Sequence, residues 1–387
     1  QRQMCIRDRD GRFGSFSTNR LDKKELETLI TNGIESTRYL AVDESRMLAD
    51  PARYYKGGKP DLQLFDKKLY EVNPDDKVAI ARAAAEEVLG KDERIISVDS
   101  SYSDGEGSSY RLISNGFEGE SKSTWFSVSA SVSIKGEGEA RPQDYWYDSA
   151  LFYDKLTKTG IGAKALERVL RKLGQKKAKS GKYTMVVDPM NVGNLLSPML
   201  SALYGSALQQ KNSFLMDKLD TKVASDLFTL RDEPHAIGAN GSRYFDNEGV
   251  ATEPRTVFDK GVLKTYFIDT YNGKKMDIAP TISAPSRLIL TPGDKDLNGL
   301  VADIKQGILV TGFNGGNSNS STGDFSYGIE GFLIEDGKLT QPVNEMNVTG
   351  NMVTLWNSLV AVGNDPQPNR SWQIPSLVFE GVDFSGL

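Results

Sequence analysis

The segment TWFSVSASVSIKG, residues 124–136, constrains this chain more than any other stretch. Its apolar side chains, Phe126, Val128, Ala130, Val132 and Ile134, alternate without a break against Ser127, Ser129, Ser131 and Ser133. Successive side chains of a strand point to opposite faces, so this pattern fits a sheet with one covered and one open face. Flanking segments of helical period offer the cover. Residues 22–41 place Leu26, Leu29, Ile30, Ile34 and Leu40 on one helical face, with Asp22 as N-cap. Residues 74–89 open on Pro74, stop at Gly90 and carry a stripe of Val78, Ala81, Ala85, Val88 and Leu89. Residues 159–173 predict a third helix. Between the second and third helices, "DGEG" separates two strand-like runs and predicts a hairpin turn.

Downstream, "KYTMVVDP" reads as a short buried strand stopped by Pro189. "NVGNLLSPMLSALYGSALQQ" reads as a helix in which Pro198 removes one N–H, so the helix either starts there or kinks. From residue 225 onward the chain is β and turn-rich, with a strand predicted in "SRYFDNEGVATEP" and a short helix at 350–360. "FDKGVL" and "EDGKL" are hairpin turns in which Gly261 and Gly337 supply positive φ. The fold class is therefore α+β: an N-terminal domain with a helix-covered antiparallel sheet, then a β-rich domain with few helices. The expected boundaries are 10–180 and 181–387. Residues 1–9, QRQMCIRDR, lack any apolar period and are expected to be a non-native leader.

Charge and composition exclude several classes. A net charge of −5 without a basic face argues against direct nucleic-acid contact, and no apolar run approaches the roughly eighteen residues of a membrane span. The single cysteine, Cys5, excludes an intrachain disulfide framework, and a reducing, cytoplasmic setting is expected. One histidine, His235, excludes any two-histidine metal site. His235 sits in loop composition; Asp246, Glu248 and Asp259 could serve acid–base chemistry if buried and close, but Asp246, Asn247 and Gly249 more simply fit a turn after a strand. Gly160 and Gly162 lack the preceding strand of a dinucleotide fingerprint and read as close helix packing.

The stretch TGFNGGNSNSSTGDFSYGIEGFLIEDG, residues 311–337, holds seven glycines between strand-like runs. It has no P-loop pattern. Glycine inside strand-like sequence marks a bulge or the close approach of another backbone. Two readings stay open on residues alone: a structural turn, or a surface that accepts an extended peptide as an added strand.

"DGRFGSFSTN", "SRYFDNEGVATEPRTVFDKGVLKTYFIDTYNGKK", "VTGFNGGNSNSSTGDFSYGIEGFLIEDGKLTQPVNEMNVTGN" and "VAVGND", in that order, resemble the TldD/PmbA family, also called modulators of DNA gyrase. The resemblance implies two branches. TldD-type members are zinc peptidases with H-E-x-x-x-H on a helix and a later cysteine; PmbA-type members, also called TldE, lack that motif and pair with a TldD-type subunit. Here the matching turn reads "SPMLSA", with Ser197 and Ala202 at the histidine positions and Pro198 at that of the glutamate. "AVGND" holds no cysteine. The resemblance thus implies the PmbA/TldE branch, with no metal and no catalytic residue in this chain and zinc in a TldD-type partner. It also implies that Gly315, Gly316, Thr322, Gly323, Asp324, Phe325 and Gly328 line the peptide cleft. Family members carry further residues before "DGRFG", so the first domain is expected to be truncated at its start.

The expected function is a non-catalytic subunit of a cytoplasmic TldD/TldE-type metallopeptidase that shapes the cleft for unfolded or modified peptide. Its partner is a TldD-type subunit in a heterodimer, or a second copy in a homodimer. Neither nucleic acid nor membrane is a direct partner. The alternatives are a homodimeric peptidase with an unrecognised site and a regulatory binding protein of DNA gyrase.

Overall fold

A computed structural model describes residues 11–387 in full and residues 2–9 as backbone. The expected leader concerns side chains outside the described residues; the backbone of Arg2–Arg9 pairs antiparallel with Arg12–Thr18. Lys23–Thr37 is helical, and the Asp22 carboxylate caps it by accepting from the Glu25 N–H at 3.0 Å. Its expected stripe is only partly covered. Leu26, Leu29 and Ile34 are half-buried, while Ile30 is exposed and Leu40 lies beyond the helix end. Residues 42–73 contain only two short 3-10 turns, Pro51–Arg53 and Lys67–Tyr70.

The alternating segment lies in the middle strand of a three-stranded antiparallel sheet, Ile95–Ile113, Phe117–Ile134 and Gln143–Ala150. Phe126, Val128, Ala130, Val132 and Ile134 are at most 1% exposed under helices Pro74–Glu86 and Ile161–Leu170. Seating these five side chains stabilises the sheet by an amount on the order of several kcal/mol. The serines face outward, half-buried.

The predicted hairpin turn is misplaced. "DGEG" lies inside one continuous nineteen-residue strand, and the chain reverses instead at 114–116, where Gly116 takes φ +110°. Gly105 is part of the ladder because the Trp125 indole lies across it, 3.1 Å from where a Cβ would stand. Likewise, the second helix buries Ala84 and Val88 and half-buries Ile80, whereas Val78 and Leu89 stay exposed. The expected stripe thus holds at Val88 and in part at Ala81 and Ala85, but is turned toward Ala84, where a small side chain lets two helices approach.

That approach also explains Gly160 and Gly162. A Cβ on Gly162 would stand 1.9 Å from the Ala84 carbonyl oxygen. Glu87, at the end of the second helix, fills the N-terminus of Ile161–Leu170 by accepting from the N–H groups of Gly160, Gly162 and Ala163 at 2.6, 2.8 and 3.2 Å. A carboxylate there offsets the positive end of the helix dipole and satisfies orphan donors.

The remaining chain forms two sheets. One has six strands in the order Lys338–Asn351, Asp324–Glu335, Gln306–Ser318, Gly181–Val187, Leu377–Ser385, Leu359–Val362. Extra pairing of Lys338–Asn351 with Leu377–Ser385 curls it toward a barrel. The other has five very short strands. Both predicted turns occur as Lys260-Gly261 and Asp336-Gly337, each pair with positive φ at both residues. The strand predicted in "SRYFDNEGVATEP" is absent; a single bridge between Phe245 and Ala251 brackets a turn whose centre is the Asp246 carboxylate. The helix predicted at 350–360 is Met352–Asn357.

Gly162→Ala should destabilise the chain by about 1–3 kcal/mol, because the helix pair must separate to admit a methyl group. Urea denaturation of the variant beside the unaltered chain measures it.

Candidate functional site

The glycine-rich stretch becomes a hairpin of Gln306–Ser318 and Asp324–Glu335. Its first strand also pairs in parallel with Gly181–Val187, but only over Gly307–Val310. There the two strands part. The Asp188 N–H donates to the Val310 carbonyl at 3.3 Å, and Asn191 Nδ2 donates to the Thr311 carbonyl at 2.8 Å and to Asp188 Oδ1 at 2.7 Å. Asp188 is 5% exposed, and burial pushes its carboxyl group above the ordinary value. Beyond Thr311 the outer edge of the strand, to Ser318, has no strand partner among the described residues.

Two bulges interrupt this hairpin, between Val310 and Gly312 and between Phe313 and Gly316. Gly315 and Gly316 take φ of +103° and +99°. A Cβ on Gly316 would stand 2.0 Å from the Ser326 carbonyl oxygen, whereas nothing approaches Gly315. The glycines therefore let the free edge change direction while it keeps its pairing on the inner side.

At the tip, Asp324 is a clamp. It accepts from Asn351 Nδ2 at 2.9 Å and from Thr322 Oγ1 at 2.7 Å, and Asn351 also donates to the Thr322 carbonyl at 2.8 Å. These bonds, that from Asn351 first, hold its carboxyl below the ordinary 3.8. Gly315, Gly316, Thr322 and Asp324 are exposed, and Gly328 is half-buried beside the Asn314 carbonyl. Gly323 and Phe325 are buried: Gly323 lies against the Phe214 ring, and Phe325 stacks on Tyr327 with centroids 5.4 Å apart.

The strand Gly181–Val187 leads through Asp188 into helix Gly193–Ser201, which buries Leu195, Leu196, Met199 and Leu200. Pro198 is accommodated inside it, and a second short helix, Gly205–Gln209, follows a break. The Ser197 hydroxyl is exposed and donates to the Gly193 carbonyl at 2.7 Å. Pro198 and Ala202 bring no donor atom, and Ala202 is 1% exposed. A divalent ion needs convergent imidazole, thiolate or carboxylate ligands. These three positions do not fit one.

Residues that sequence reasoning missed join this helix to the hairpin. Ser213 Oγ donates to the Ala202 carbonyl at 2.6 Å, the Phe214 N–H donates to the Ser320 carbonyl at 3.0 Å, and Asn212 Oδ1 accepts from the Ser320 and Ser321 hydroxyls. No local signal marks them, since "KNSF" resembles any polar turn.

The other candidates do not assemble. Asp246 accepts from the N–H groups of Glu248, Val250 and Ser283, a structural role. Glu248 accepts from the Thr270 N–H and hydroxyl at 2.8 Å each, and burial raises its pKa. Asp259 is exposed in the Lys260-Gly261 hairpin. His235 Nε2 bonds the Thr252 hydroxyl at 3.0 Å, and burial lowers its pKa.

Residues 180–386 match the sequence model of the PmbA/TldA metallopeptidase C-terminal domain, and residues 67–173 match that of the central domain. The chain belongs to the TldD/PmbA family. It is 28% identical over 381 residues to a metalloprotease PmbA homologue of Haemophilus influenzae, covering 96% of this chain and 83% of that protein. A crystal structure from Bacteroides thetaiotaomicron, described as a candidate modulator of DNA gyrase, superposes with a TM-score of 0.97 at 74% identity, covering 98% of this chain and 86% of that one. TldE from Thermococcus kodakarensis shares the fold, with a TM-score of 0.82 at 22% identity over 99% of this chain and 90% of that one. No helix among the described residues is long and apolar enough to cross a membrane.

The Asp324 clamp has a signed pH dependence. A carboxyl whose folded pKa lies below its unfolded value stabilises above the unfolded value and ceases to do so as pH falls through the folded one. Amide protection of residues 319–324 should therefore hold at neutral pH and fall below about pH 3.8, the ordinary carboxyl value. Asp324→Ala should show the low protection at both pH values, read by NMR-detected hydrogen exchange.

Proposed function

We propose that this chain is the non-catalytic subunit of a cytoplasmic TldD/TldE-type zinc peptidase and forms part of the path along which unfolded or modified peptide travels. The unpaired outer edge from Gly312 to Ser318 carries this reading. An exposed edge presents N–H and C=O groups that an extended backbone can satisfy, with little dependence on side chains. Gly315, where a Cβ would meet nothing, adds no bulk beside that edge, and the exposed tip residues Thr322 and Asp324 bound it at one end. Membership of a peptidase family supports peptide as the occupant. The proposed cleft residues divide by role: Gly315, Gly316 and Gly328 admit the backbone, Thr322 and Asp324 frame it, and Gly323 and Phe325 hold the hairpin from beneath.

Division of labour follows from the helix. Ser197, Pro198 and Ala202 leave no ligand set, so zinc and the water it activates would reside in a TldD-type partner subunit. The mild negative charge argues against direct DNA contact.

The test is metal content by plasma mass spectrometry together with casein cleavage, for the chain alone and after co-purification with a TldD-type subunit. The chain alone should hold less than about 0.1 zinc per molecule and should not cleave; the pair should cleave, with loss on chelation. Stoichiometric zinc and chelator-sensitive cleavage by the chain alone would overturn the proposal.

A further inference from the structure

At the point where the free edge begins, Thr311 also lines a crevice of 580 Å³ between the two domains. One wall is helix Ile161–Leu170 with its following turn, which presents Lys164, Arg168 and Arg171; Lys338 joins from the Asp336-Gly337 turn. The facing carboxylates, Asp188, Asp296 and Asp365, accept hydrogen bonds from neutral donors on their own side of the crevice. Asp188 accepts from the Asn191 N–H and Nδ2, and Asp296 accepts from the Gly299 N–H at 2.8 Å. Asp365 takes three donors, from Leu297 and from the Ser376 N–H and hydroxyl.

On the basic wall, Arg168 pairs with Asp144 at 3.3 Å and Lys164 with Glu167 at 2.9 Å. Arg171 has only a 3.9 Å contact to Glu167, and its guanidinium is held 4.7 Å over the Phe332 ring. The Lys338 ammonium has no hydrogen bond or ion pair among the described residues. No ion pair between these walls crosses the crevice among the described residues. Arg171 and Lys338 are thus the two lining cations without a close carboxylate partner among the described residues, beside apolar surface from Trp146, Leu297 and Leu339.

We infer that this crevice binds a carboxylate of the peptide that pairs with the free edge, with Arg171 and Lys338 as its cations. The inference rests on the edge-pairing reading above. It also sets polarity. The strand runs from Gln306 to Ser318, so a peptide whose carboxyl-terminal side reaches Thr311 lies antiparallel to it. Its last side chain would meet Trp146 and Leu339. A terminal carboxylate and an acidic side chain share this chemistry, and the test separates them.

The probe is a fluorescein-labelled Ala/Ser octapeptide ending in leucine, measured by anisotropy in three forms: free acid, terminal amide, and amide with a glutamate before the leucine. The free acid should bind about tenfold more tightly than the amide, the difference expected for one charge-assisted contact. The glutamate-bearing amide should fall between them if a side-chain carboxylate reaches the same cations, and should match the plain amide if only the terminus does. In the double variant Arg171→Ala, Lys338→Ala, acid and amide should bind equally, at the affinity the amide has for the unaltered chain. Equal binding of acid and amide to the unaltered chain would overturn the crevice assignment alone. Failure of all three peptides to bind would overturn the edge-pairing reading and this inference with it.

Discussion

The parting of two parallel strands at Val310 is the constraint on which the candidate site depends. Had Gly181–Val187 run on beside its neighbour, the edge from Gly312 to Ser318 would be covered and no backbone could join it. The strand is stopped instead by Asp188 and Pro189. The Asp188 N–H and Asn191 amide occupy the last two carbonyls, those of Val310 and Thr311, and the chain turns into helix Gly193–Ser201. One short hydrogen-bonded stop thus starts helix Gly193–Ser201, opens the strand edge, and borders the crevice that Thr311 lines.

The hairpin is not left to find its own geometry. Lys172, 11% exposed, bridges Asp144 on the edge strand of the serine-faced sheet at 3.2 Å and Glu330 on the hairpin at 2.7 Å. Gly312 must lack a Cβ because the Glu330 carboxylate would lie 2.6 Å from it. Burying such charges costs solvation that only good mutual geometry offsets, so the arrangement is more informative about specificity of docking than about net stability. At the other end, Asn212 and Phe214 grip the tip. A bulged, glycine-rich hairpin is thereby held at both ends while the outer edge of its first strand stays free.

Much of this was legible in the sequence, for reasons that can be named. The strict alternation from Phe126 to Ile134 survived because strand period is local and both faces were marked. Turns at Gly261 and Gly337 were readable because positive φ restricts residue choice. The bulged character of residues 311–331 followed from glycine within strand-like runs. Errors arose where local chemistry was ambiguous. "DGEG" looked like a turn because glycine is frequent there, but Gly105 is in the ladder to clear the Trp125 ring. Of the stripe Val78, Ala81, Ala85, Val88 and Leu89, Val88 is buried but Val78 and Leu89 stay exposed, because the helix turns its Ala84 side toward its partner. The turn reading of Asp246, Asn247 and Gly249 held, since Asp246 accepts from the N–H groups of Glu248 and Val250.

By itself, then, the sequence determined the one-sided antiparallel sheet around residues 126–134, the turns at Gly261 and Gly337, and the family, since these are fixed by residue type and short-range spacing. Only the tertiary structure decided that Ala202, Ser213 and Ser320 form one connected unit, that Glu87 occupies the helix end at Gly160, and that Arg171 and Lys338 share a crevice with Thr311. Those contacts join residues from eleven to well over a hundred positions apart, and nothing in local propensity distinguishes them until packing brings their backbones together.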